Sequence, residues 1–208
     1  MKFLLAVFAS ALPAYLLGGV NGAIITSMVF YRKDIRKYGS GNPGLTNFYR
    51  VFGKGGAILV VAIDVAKSIA PVMFGGWVFS RYFDMKLFGQ AITGFFVIMG
   101  HCFPVFYNFK GGKGIMAAGA ILFIIDWRIA VVSWGTFILI AALTRYVSLG
   151  SIIGTALFPP ALLVFGIGGL YEFIALLMCA LLLIARHQAN IRRLIKGEES
   201  KFNFRRKE

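Results

Sequence analysis

The chain has 208 residues, 59% of them hydrophobic and 15% aromatic, with a mean hydropathy of +0.79 and a formal net charge of +14. That is more apolar material than a water-soluble core of this length needs, so the chain reads as an integral membrane protein. The 22 Lys and Arg residues fall between apolar runs and not over one soluble face, which argues against nucleic acid and for membrane orientation and anionic ligands. Cys102 and Cys179 lie in apolar segments without metal-ligand spacing and read as core residues.

The first apolar segment, residues 3–31, is long enough to span a bilayer and reads as a transmembrane helix rather than a removed signal, with Pro13 and Gly18-Gly19 as bending points. A basic run follows, and then residues 39–50, Gly-Ser-Gly-Asn-Pro-Gly-Leu-Thr-Asn-Phe-Tyr-Arg, which are expected to form a loop at the membrane surface. Gly39, Gly41 and Gly44 let backbone N–H groups turn toward one centre. Ser40, Asn42, Thr46 and Asn47 add side-chain donors, and Arg50 adds a rigid fork. That set suits a phosphate. The same glycines match the dinucleotide fingerprint, but an apolar span and a basic cluster precede them where that fold requires a strand.

Helix two is expected over residues 57–80, with Asp64 and Lys67 on one face as a structural ion pair turned away from lipid. Helix three, residues 87–102, ends at His101, a structural hydrogen-bonding residue in this reading, and is broken by Pro104. A second glycine loop follows, Phe109-Lys110-Gly111-Gly112-Lys113-Gly114. It is not a Walker loop, because Tyr107 replaces the first glycine and Gly114 the magnesium-binding hydroxyl. Helix four, residues 115–125, would place Lys113 and free amides at a helix N-terminus.

Helices four and five, the latter over residues 129–143, are short against the roughly 20 residues of a full span. A third polar entry at residues 144–151 carries Arg145, Ser148 and Ser151. Helix six runs on to residue 167 with a kink at Pro159-Pro160. Helix seven, residues 171–185, ends in Arg186-His187-Gln188-Ala189-Asn190-Ile191-Arg192-Arg193. The architecture expected is therefore all-α, with about seven transmembrane helices and short loops. Residues 1–195 form the membrane domain, and 196–208 a basic tail, disordered or bound at the surface. Under that topology 17 of the 22 cations share the side of the C-terminus, 4 lie opposite, and Lys67 is internal. The N-terminus is then outside and the C-terminus cytoplasmic, with all three polar loops on the cytoplasmic face.

That face is cation-rich and poor in carboxylates, so it suits more than one phosphate and not a carboxylate-held metal. A Ser-His-acid triad is poorly supported, and the histidine-four-residue-aspartate box of many acyltransferases is absent, since Phe106 and Arg192 stand five residues after His101 and His187. Acyl transfer would need an already activated donor. A transporter or channel for a phosphorylated metabolite is the competing class and a lipid-binding scaffold a third, and both rank well below an enzyme.

Four motifs in order carry a resemblance: residues 39–50; Gly100-His101-x-Phe103-Pro104 with Lys110-Gly111-Gly112-Lys113-Gly114; residues 144–151; and Arg186-His187-x-x-Asn190-Ile191-x-Arg193. On these the chain resembles the bacterial acyl-phosphate:glycerol-3-phosphate acyltransferases of the PlsY type. Pro43 stands where that family commonly has an aliphatic residue, and Ser68 where glycine usually follows Asp-x-x-Lys. The resemblance implies an inner-membrane enzyme of bacterial phospholipid synthesis with a cytoplasmic active site. It implies acyl phosphate as donor, glycerol 3-phosphate as acceptor, lysophosphatidic acid and phosphate as products, and an upstream enzyme that forms acyl phosphate. Neither metal nor other cofactor is implied. Catalytic roles fall on Ser40, Lys113, Ser151, His187 and Asn190. Substrate contacts fall on Gly39, Gly41, Asn42, Gly44, Thr46, Asn47, Arg50, Gly111, Gly112, Gly114, Arg145, Ser148 and Arg192.

Overall fold

The computed structural model describes residues 1–202, and every regular element among them is helical. The chain divides into two compact units, Met1–Ile125 and Asp126–Glu208. The first holds α1 (Lys2–Gly18), α2 (Gly22–Tyr31), α3 (Leu45–Phe52), α4 (Lys54–Phe83), α5 (Lys86–Cys102) and α6 (Ile115–Ile125). The second holds α7 (Trp127–Thr144), α8 (Val147–Ala156), α9 (Phe158–Val164), α10 (Leu170–Ala185) and α11 (Gln188–Ile195).

Four stretches are long and apolar enough to cross a membrane: Lys2–Tyr31, Lys54–Phe83, Lys86–Tyr107 and Trp127–Thr144. Two bent pairs, α8 with α9 at 41° and α10 with α11 at 57°, raise the number to six. The 11 residues of α6 reach only about 16 Å, roughly half the hydrocarbon thickness.

The first apolar segment breaks where its glycines predict. Helix α1 continues through Pro13 and stops at Gly18. Asn21 then starts α2, its side-chain oxygen accepting the Ile24 N–H at 2.9 Å, which satisfies an amide that the helix itself cannot. Gly75 and Gly89 let α4 and α5 pack backbone to backbone, since a Cβ on Gly89 would lie 2.6 Å from that of Phe79 and overlap the Gly75 carbonyl.

Residues 39–50 are not one loop, as their composition suggested. From Leu45 the chain is helical, because Leu45, Phe48, Tyr49 and Phe52 repeat at the spacing of one helix face. That face joins the core of Ala23, Ile24, Ile35, Ala57 and Val60, with Phe48 fully buried. Tyr31 stacks on Phe52 at 4.5 Å between ring centroids, and its hydroxyl accepts the Gly56 N–H at 3.2 Å. The opposite face, with Thr46 and Arg50 one turn apart, is left for polar work.

Candidate active site

Local hydrogen bonds shape the first glycine loop. Asp34 accepts the Arg36 N–H at 3.0 Å and pairs with its guanidinium at 2.7 Å, an interaction that holds the Asp34 carboxyl below its usual range. Gly39 and Gly41 then turn the chain with φ of 59° and 71°, in the region where a side chain is strained. Asn47 braces this turn with both ends of its amide, accepting the Ser40 N–H at 2.9 Å and donating to the Tyr38 carbonyl at 3.0 Å. It is buried, and its geometry is that of a scaffold beneath Ser40. Gly44 caps α3 and offers no side chain, so the first-turn amides point out of the helix end beside Asn42 and Thr46. Arg50 is exposed one turn further on.

The second glycine loop, residues 110–114, lies against the first. The Gly112 N–H donates to the His101 carbonyl at 3.2 Å. A Cβ on Gly112 would sit 2.5 Å from His101 Nε2 and 3.1 Å from the Pro43 carbonyl oxygen. That same Pro43 oxygen accepts from Asn21 Nδ2 at 3.1 Å, so the break between α1 and α2 also holds the α3 entrance. Lys113 and the N-terminus of α6 therefore stand beside the N-terminus of α3. Two helix ends and two glycine loops of the first unit share one locality, with the positive ends of two helix dipoles in it.

Behind this junction lies a buried polar network. Lys67 Nζ is 2.9 Å from Asp64 Oδ1 and 2.9 Å from His101 Nδ1, and it also donates to the Val20 carbonyl. Asp64 in turn accepts the Gly22 N–H at 3.2 Å. The expected Asp64–Lys67 pair is present, and it reaches past α4 to the start of α2 and the end of α5.

In the second unit, α8 presents Ser148 and Ser151 and α11 presents Asn190 and Arg193. Ser151 Oγ donates to the Val147 carbonyl at 2.9 Å. His187, buried just ahead of α11, holds its Nδ1 at 2.8 Å from the Leu183 carbonyl, an acceptor that places a proton on Nδ1. Ser148 Oγ and Asn190 Nδ2 converge on one oxygen of Glu199, at 2.6 and 2.7 Å, and Arg193 Nε binds the other at 2.6 Å. The tail reading needs correcting to this extent. Residues 198–202 are tied down, with the Phe202 N–H donating to the Arg145 carbonyl at 2.8 Å. Residues 203–208 lie outside the described residues. Arg145 ends α7 in a left-handed conformation, and both it and Arg192 are exposed.

A family model described as glycerol-3-phosphate acyltransferase matches residues 8–197. The chain belongs to the glycerol-3-phosphate acyltransferase family. Curated relatives of that name include one from Ralstonia pickettii, 38% identical over 100% of this chain and 99% of its own length. Another, from Francisella philomiragia, is 36% identical over 96% and 95%. Among solved structures, the integral membrane glycerol 3-phosphate acyltransferase PlsY (YgiH) in its glycerol 3-phosphate form is similar with a TM-score of 0.84 and 32% identity, covering 95% of this chain and 96% of that one. Its lysophosphatidic acid form gives 0.83 and 30%.

In this glycerol-3-phosphate acyltransferase the arrangement offers amide and ammonium donors at a helix-end junction in the first unit. In the second unit it offers hydroxyl, imidazole and guanidinium groups along α8 and α11. Sequence reasoning singled out the loop residues and missed Glu199, which a lone pair of acidic residues in a basic tail could have flagged. It also missed Asn21 and Pro43, whose roles rest on contacts across the fold and leave no local signal.

Proposed function

We propose that this glycerol-3-phosphate acyltransferase takes its acyl group from acyl phosphate. A hydroxyl of glycerol 3-phosphate attacks the acyl carbonyl, the bond between that carbon and the phosphate oxygen breaks, and lysophosphatidic acid and phosphate leave. A mixed anhydride is already activated, so the protein's work is to bring two anions together and offset their repulsion. The observation that carries this reading is the meeting of the two glycine loops at Pro43 and Gly112, where two helix N-termini and Lys113 gather in a member of this family.

Lys113 and Arg50 bind the phosphate of glycerol 3-phosphate. The amides of Gly39 and Gly114, with the side chains of Ser40, Asn42 and Thr46, receive phosphate oxygens, while Gly41, Gly44, Gly111 and Gly112 shape the loops, the amides of Gly41, Gly44 and Gly112 donating to the carbonyls of Tyr38, Asn42 and His101, and Asn47 keeps Ser40 in place. In the second unit, Ser151 and His187 orient the acceptor or relay its proton. Arg145 and Arg192 attract the anionic substrates, and Ser148 and Asn190 act as one piece with Glu199. A substrate phosphate oxygen takes the hydroxyl proton, since the reaction releases phosphate in any case. With α6 counted as a seventh crossing beside the six candidate spans, the distribution of Lys and Arg supports a bacterial inner-membrane protein with its three polar loops on the cytoplasmic side. An upstream enzyme supplies the acyl phosphate.

The donor is tested by incubating purified protein with labelled glycerol 3-phosphate and either palmitoyl phosphate or palmitoyl-CoA. Labelled lysophosphatidic acid from the acyl phosphate alone is the expected result. Product from the thioester alone would overturn the donor assignment.

A further inference from the structure

The sequence reading treats His101 as a structural residue at the end of a helix, but its surroundings give it a more specific task. A lysine ammonium has three N–H donors and no acceptor. Lys67 is buried, and it faces three acceptors: Asp64 Oδ1, the Val20 carbonyl and His101 Nδ1. For the third contact to be a hydrogen bond, His101 Nδ1 must carry its lone pair, which leaves the ring proton on Nε2. That edge of the ring is the one against Gly112, where a Cβ would approach Nε2 to 2.5 Å, and the backbone of His101 accepts the Gly112 N–H as well. Gly112 is in turn the residue of the second loop that lies on the Pro43 carbonyl of the first.

We infer that His101 is a positioning residue for the acceptor's phosphate: the Asp64–Lys67 pair orients its ring with the N–H on Nε2, and that N–H edge sets the second glycine loop against the first. The proposal rests on the reading of the two glycine loops as the glycerol 3-phosphate site. A chain of contacts from Asp64 through Lys67 and His101 to Gly112 then ties the separation of the two helix ends to a buried ion pair. Lys67 needs its charge for this, because only a saturated ammonium fixes which ring nitrogen is the acceptor.

Two substitutions separate the two edges of the ring. His101→Asn keeps an acceptor where Nδ1 stands and removes the Nε2 edge. His101→Gln keeps a donor near the Nε2 position and withdraws the acceptor from Lys67. Glycerol 3-phosphate binding to detergent-purified wild type and both variants is measured by calorimetry, with melting temperatures and steady-state kinetics alongside. Loss of the ring edge that packs against Gly112 is expected to weaken affinity about tenfold. The expected result is that loss for His101→Asn, with KM for glycerol 3-phosphate raised and kcat little changed, and a smaller loss of about threefold for His101→Gln, which keeps the donor edge but not the Lys67 contact that orients it.

Equal binding by all three proteins overturns the proposal, as do losses in both variants that track their melting temperatures. If His101→Asn does not yield folded protein, His101→Gln decides alone: a loss of about threefold supports the proposal, and unchanged affinity or a loss of about tenfold in folded protein overturns it. Absence of binding by wild type would instead remove the reading of the loops on which the proposal rests.

Discussion

Glu199 gathers Ser148, Asn190 and Arg193 through one carboxylate, joining two helices of the second unit to the chain beyond α11. Burial alone would raise its pKa, but the three hydrogen bonds and the Arg193 charge outweigh that effect and hold the carboxyl below its usual range. A carboxyl depressed in the folded state contributes stability that is present above its unfolded value and lost as the pH falls through the folded one. The attachment is therefore expected to hold at neutral pH and to weaken on acidification below the ordinary glutamate value of 4.5. Hydrogen exchange of the α11 amides should show protection that falls over that range in wild type. Glu199→Gln should be less protected at neutral pH and insensitive to pH across the same window. Residues of this kind were hard to read from sequence. Asn190 and Ser148 attracted attention as polar groups in cationic surroundings, but their partner lies in a tail whose composition suggests disorder.

Helix α3 shows the same difficulty at the level of an element. Its apolar residues, Leu45, Phe48, Tyr49 and Phe52, follow a helical period over only two turns and come directly after three glycines and a proline, so composition favours a loop. The structure gives the segment a fully buried anchor in Phe48, which faces Tyr31 and Phe52. Phe48→Ala is expected to destabilise the protein by about 3–5 kcal/mol, as truncating a buried aromatic does elsewhere. Thermal unfolding in detergent checks this; a melting temperature unchanged from wild type would mean that α3 is not anchored there. The long apolar helices were legible nearly to their ends, because a continuous hydrophobic run needs no tertiary partner to be recognised. Helix α4 outruns its expected limits, running from Lys54 to Phe83. Helix α11 was missed for the reason α3 was: eight residues, half of them polar, with a period too short to stand out.

For the whole molecule, hydropathy and composition made the membrane class legible, while the meeting of residues 43, 101 and 112 was not, since nothing local in the sequence links them. The cation distribution predicts an orientation that can be read directly in cells. Cys102 and Cys179 are buried, so a single introduced cysteine reports its own side. A membrane-impermeant maleimide should label Tyr171→Cys in intact cells and Lys37→Cys only after permeabilisation; the reverse pattern would invert the topology. The most direct test of the central claim, that the paired glycine loops form the anion site of an acyl-phosphate-dependent transfer, is phosphate release by purified protein given palmitoyl phosphate and glycerol 3-phosphate. Wild type should release phosphate only with both substrates, and Lys113→Ala, folded to the same melting temperature, should lose about 100- to 1,000-fold in kcat/KM, the scale of removing one donor from a charge-stabilising site. Undiminished, acceptor-dependent release by Lys113→Ala would contradict the account.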